Sequence, residues 1–78
     1  MPTVLRIGKY RFHFYSNEGL EPPHIHIDTP EGDCKFWLNP VELAKSRGIA
    51  PPVLRDLQSI EIVHESLLLE KYYEFHGR

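Results

Sequence analysis

The stretch that most constrains the fold is Pro22–Asp28, PPHIHID. Two consecutive prolines fix φ and remove two backbone donors, so regular structure cannot run into this segment. Beyond them the residues alternate with period two. That spacing predicts a strand with Ile25 and Ile27 on one face and His24, His26 and Asp28 on the other. Two imidazoles and a carboxylate side by side can bind a metal, move protons or coat a polar surface.

The neighbouring segments carry the same period. Residues 3–7, TVLRI, and 10–15, YRFHFY, flank Gly8-Lys9, a two-residue loop with Gly first that suits a type II′ hairpin. Phe12 and Phe14 then share one face, and Arg11, His13 and Tyr15 the other. SNEGLEPP reads as a loop and TPEGD as a turn. In CKFWLN, Cys34, Phe36 and Leu38 lie opposite Lys35, Trp37 and Asn39. Short connections between about four strands over residues 3–38 predict a mostly antiparallel sheet with one apolar face.

NPVELAKSRG carries helix punctuation and predicts a short helix over about 40–47. Asn39 can cap, Pro40 fits the first turn, Glu42 follows three residues after the cap, and Gly48 suits a stop. Leu54, Leu57, Ile60, Leu67, Leu68, Tyr72 and Phe75 recur at three- and four-residue intervals, which predicts a long helix over about 52–75. Ile62 and Val63 widen the apolar stripe near His64, where a break is an alternative. The expected fold is α+β: one domain spanning residues 1–78, its sheet packed on one face by a short helix and a long C-terminal helix.

Composition bounds the function. A chain of 78 residues buries only about 60–65% of its unfolded surface, which leaves little room for a deep cavity. The hydrophobic share of 41% argues against disorder. Cys34 is the only cysteine, so no internal disulfide can form, and a reducing, cytoplasmic setting is expected. MPTVLRIGKY does not read as a signal peptide, and no stretch approaches a membrane span. A formal net charge of −2 gives no general attraction for nucleic acid or acidic membranes. Arg6, Lys9 and Arg11 make the start basic, whereas Glu61, Glu65, Glu70 and Glu74 make the last third acidic.

With helices on the apolar face, the other sheet face gathers Arg11, His13, Tyr15, His24, His26, Asp28, Lys35, Trp37 and Asn39. These residues can be plain strand formers with wet tips. A metal reading uses His24 and His26 with Asp28 or His13 as a third ligand, though no thiolate or second ordered pair supports it. A catalytic reading makes His24 and His26 acid and base in phosphodiester cleavage, with Lys35 or Arg11 meeting the charged transition state. RNA supplies its own 2′-hydroxyl nucleophile, so such a site needs neither metal nor cofactor.

A docking reading takes Arg11, Tyr15, His24, His26, Lys35 and Trp37 as a binding surface for RNA or for a protein partner. The acidic net charge favours the protein. His64 and His76 read as helix-face and terminal residues, and Cys34 as a small core residue.

MPTVLRIGKYRFHFYSNEG, EPPHIHID, KFWLNPVELAKSRG and LLLEKYYEFHG together resemble the small bacterial proteins grouped as domain of unknown function family 4160. The most specific stretches are Phe14 to Glu18, Pro22 to His26 and Lys35 to Leu38. The resemblance implies a bacterial cytoplasmic protein with a partner encoded beside it, in arrangements that look like toxin–antitoxin pairs. It implies no established activity and no catalytic residue. His13 stands where an aromatic or another variable residue is expected in such proteins, which weighs against a three-histidine metal site.

Overall fold

The computed structural model describes residues 3–15 and 20–77. Five strands run in chain order: β1 (Thr3–Ile7), β2 (Tyr10–His13), β3 (His24–Asp28), β4 (Asp33–Leu38) and β5 (Val41–Arg47). Two helices follow, α1 (Pro51–Val63) and α2 (Glu65–His76). The sheet order is β1-β2-β3-β4-β5 with every pair antiparallel, so each strand pairs with its sequence neighbour. The α+β class and antiparallel sheet agree with the expectation. The strand count is five rather than four.

The hairpin between β1 and β2 turns on Gly8 at φ +57°. A positive φ at the first central position suits the glycine-first loop read from the sequence. The expected loop over 16–23 lies partly outside the described residues, which resume at Leu20.

The fifth strand replaces the short helix expected over 40–47. An isolated helix of about eight residues is marginal in water, since few hydrogen bonds follow the costly nucleus. As a strand the same segment closes the edge of β4, with Leu38 opposite Val41 and Asp33 opposite Arg47. The apparent cap residues serve a turn instead: Asn39 and Pro40, joined by a cis peptide, return the chain directly onto β4. Gly48 does adopt a positive φ of +77°, but it ends a strand. A Cβ on Gly48 would sit 2.7 Å from the Glu31 carbonyl oxygen, and one on Gly32 only 1.9 Å from the Arg47 carbonyl oxygen. The β3–β4 turn therefore packs backbone to backbone against the end of β5.

The single helix expected over 52–75 is two helices. His64 leaves helical geometry at φ −104°, ψ 16°. Its ring Nδ1 lies 2.9 Å from the Ile60 carbonyl oxygen, which can only accept, so Nδ1–H donates there. A side-chain donor inserted at a helix carbonyl is a recognised cause of a kink. The break moves Leu67 out of the expected stripe, leaving it 37% exposed, whereas Leu68 and Tyr72 remain buried.

Phe12, Phe14, Ile25, Ile27, Phe36 and Leu38 from the sheet meet Leu57, Leu68 and Tyr72 from the helices in one core. Glu61 also lies in this layer. It follows Leu57 by four residues, one turn along the same helix face, and is 0% exposed. Neither carboxyl oxygen has a hydrogen-bond partner among the described residues, and desolvation pushes its pKa up to about 9. Glu61 is therefore a neutral acid at pH 7.

Candidate functional site

Strand register builds the polar face as rows. His13, His26, Lys35 and Lys45 stand opposite one another in turn across β2 to β5. Two residues along lies a second row, Arg11, Asp28, Asp33 and Arg47. A third holds His24, Trp37 and Glu42. The outer ends of the first two rows depend on an irregularity in β5. Phe36 pairs with Leu43 and Lys35 with Lys45, so Ala44 has no opposite number. One extra residue reverses the alternation, and Lys45 and Arg47 consequently join the polar face.

Rings occupy the middle of this face. His13 stacks on His26 with centroids 5.7 Å apart, and Tyr15 meets His26 edge-on at 4.4 Å. His24 contacts His26 at 5.3 Å, Trp37 at 6.0 Å and Tyr72 of α2 at 5.8 Å. Lys35 Nζ lies 4.7 Å from the Trp37 ring centroid, a cation–π arrangement. Tyr15, His26 and Trp37 are each part exposed.

The expected face is not uniformly open. His13 and His24 are 0% and 1% exposed, and Lys35 is 9% exposed. His24 is held by a hydrogen bond from Nδ1 to the Pro22 carbonyl oxygen at 2.9 Å, which fixes the proton on that nitrogen. The Tyr72 hydroxyl donates to the Glu21 carbonyl oxygen at 3.0 Å, while the Glu21 carboxylate pairs with Lys35. Helix α2 and the 20–23 segment thus close one end of the face over His24.

The charges are arranged in pairs. Arg11 donates to Asp28 at 2.9 Å and to the Thr3 hydroxyl at 2.7 Å. His13 Nε2 approaches the same Asp28 oxygen at 3.2 Å, without hydrogen-bond alignment. Arg47 donates twice to Asp33, each time at 3.2 Å. Lys45 forms no ion pair among the described residues.

A cleft of about 280 Å³ opens beside Lys45, lined by His26, Asp33, Cys34, Lys35, Ser46 and Arg47. The Cys34 thiol is pushed up to about 12, chiefly by burial and then by the nearby Glu61, Asp33 and Asp28 carboxyl groups. It is a packing residue and not a nucleophile at neutral pH.

Among the sequence candidates, the structure brings Tyr15, His24, His26, Lys35 and Trp37 together and engages Arg11 with Asp28 at the flank. Asp28 stands four residues along β3 from His24, in the row of Arg11, rather than completing a cluster with both histidines. No group of three or more His, Cys, Asp or Glu side chains is placed to share a metal among the described residues.

Sequence reading missed Glu21, Asp33, Lys45 and Arg47 as contributors. Reading 41–47 as a strand would not by itself have supplied Lys45 and Arg47, because simple alternation puts them on the face of Val41 and Leu43 and only the extra residue at Ala44 turns them to the polar side. No local signal marks Glu21, whose partner is 14 residues away.

The geometry defines a small antiparallel sheet protein with helices packed against one face and an imidazole, aromatic and paired-charge face opposite. The family profile of a domain of unknown function (DUF4160) matches residues 10–73, and the chain belongs to that family. No curated protein and no solved structure matches it. No helix among the described residues is long and apolar enough to cross a membrane.

Proposed function

We propose that this chain is a binding module that docks a protein partner on the polar sheet face. The observation that carries this reading is the packed ring cluster, in which part-exposed Tyr15, His26 and Trp37 are held by His13, His24 and Lys35 beneath and beside them. Rigid aromatic side chains lose little entropy on binding, and Trp, Tyr and Arg are the residues that dominate interface energetics. Arg11, Lys35 and Arg47 are each paired with a carboxylate, and the chain carries a net charge of −2, which favours a protein over a polyanion. The family resemblance adds a candidate: a bacterial cytoplasmic partner from a neighbouring gene, in a toxin–antitoxin-like pair. Tyr15, His26 and Trp37 make the contact, while His24 and Lys35 hold the surface in shape.

The test is isothermal titration of the chain with the product of the adjacent gene. The Trp37→Ala/His26→Ala variant is expected to bind at least ten-fold more weakly, about 1.4 kcal/mol or more. Unchanged affinity in a folded double variant would overturn the assignment of this face.

A further inference from the structure

We infer that the cleft beside β5 receives a single carboxylate side chain from an extended segment of the protein partner, with Lys45 as its counter-charge. This rests on the reading of the polar face as a protein-binding surface and adds the chemistry of what binds there.

Three cations line the cleft. Lys35 is neutralised by Glu21 and Arg47 by Asp33, whereas Lys45 has no carboxylate partner among the described residues. Lys45 is exposed and projects onto the polar face because Ala44 is the extra residue in β5. The cleft therefore carries one unbalanced positive charge, which matches a single carboxylate. A nucleic-acid strand brings a charge on every nucleotide and would also meet Glu21, Asp28, Asp33 and Glu42 around the same surface.

Position gives the second argument. β5 is an edge strand of seven residues, and its outer side has no strand beside it among the described residues. An extended peptide can lie along such an edge, taking main-chain hydrogen bonds while alternate side chains enter pockets on one face. Lys45 stands at the place where such a side chain would reach the cleft. Lys35, on its floor, also lies against the indole of Trp37.

Trp37 is the sole tryptophan and so reports on this site directly. The experiment follows Trp37 fluorescence while the full chain is titrated with a capped pentapeptide bearing one glutamate between neutral residues, and separately with hexauridylate RNA, at constant ionic strength. Wild type, Lys45→Ala and Lys45→Glu are compared after circular dichroism confirms that each is folded. The expected result is a saturable change with the single-glutamate peptide, with an apparent Kd at least ten-fold higher in Lys45→Glu and an intermediate loss in Lys45→Ala.

Three results would overturn the inference: no saturable change in wild type, indifference to Lys45→Glu, or tighter binding of the RNA hexamer. Its failure is distinguishable from failure of the docking surface. If Trp37→Ala/His26→Ala loses the natural partner while Lys45→Glu keeps it at full affinity, the surface stands and the carboxylate subsite falls. If the single-glutamate peptide binds through Lys45 while that double variant keeps the partner, the subsite stands and the aromatic surface falls.

Discussion

Lys35 and Lys45 face each other across the β4–β5 ladder, one buried and paired with Glu21, the other exposed and without an ion pair among the described residues. Like charges directly opposite on a sheet are unfavourable. The Glu21 carboxylate offsets this by lying on Lys35, while the Tyr72 hydroxyl holds the Glu21 backbone. The surface chemistry of the sheet is thereby connected to the packing of α2.

Removing the Glu21 carboxylate leaves a buried ammonium without its counter-ion. Glu21→Gln is expected to cost about 1–2 kcal/mol, below the range for a fully buried pair because Glu21 is part exposed. Lys45→Glu, by contrast, replaces the like charge opposite Lys35 and is expected to leave the Tm unchanged or slightly raised. Urea denaturation of both variants checks the opposite signs.

Tyr72→Phe removes one hydrogen bond while keeping the ring in the core. A loss of about 1 kcal/mol is expected from the bond to the Glu21 carbonyl. The accompanying change in Trp37 fluorescence would register the loosening of the 20–23 segment over His24 and Lys35.

Glu61 makes stability fall as the solution becomes more alkaline. Its pKa in the fold is raised to about 9 from 4.5, so the folded chain holds a proton that the unfolded chain has released. Stability from this group is fully present below about 4.5, where both states hold the proton, and is lost as pH rises through about 9. The slope within that window is about 1.4 kcal/mol per pH unit. Glu61→Leu should flatten this slope and raise stability at pH 7 by about 1–3 kcal/mol, since it removes an unpartnered buried polar group. Chemical denaturation between pH 5 and 9 compares the two chains.

Gly32 is where the end of β5 touches the preceding turn. A Cβ there would collide with the Arg47 backbone, so Gly32→Ala must push β5 away. A loss of more than about 1 kcal/mol is expected, with Arg47 and Lys45 displaced from the cleft. Gly8→Ala is the informative contrast. Its Cβ would meet nothing within 4 Å, so only the positive φ opposes the substitution.

Most of the sheet was legible because Ile25, Ile27, Phe12, Phe14, Phe36 and Leu38 alternate along segments bounded by glycine and proline. β5 was not, since Asn39, Pro40, Glu42 and Gly48 satisfy helix punctuation as well as they satisfy a turn and a strand end. The free edge of β4 decided between them, and an edge is a tertiary fact. The extra residue at Ala44 also hid the alternation that points Lys45 and Arg47 to the polar face. His24 and His26 were correctly placed on one face. What local pattern could not convey was that Tyr72, 48 residues after His24, would help to bury the first while the second stays part exposed.

Amide chemical-shift mapping shows where a partner sits on the chain. The 15N-labelled chain would be titrated with the unlabelled protein proposed as its partner. Docking on the polar sheet face is expected to concentrate perturbations at Tyr15, His26, Lys35, Trp37 and Lys45, with the outer surfaces of α1 and α2 unchanged. Perturbations confined to the helices, with the polar sheet face silent, would contradict it.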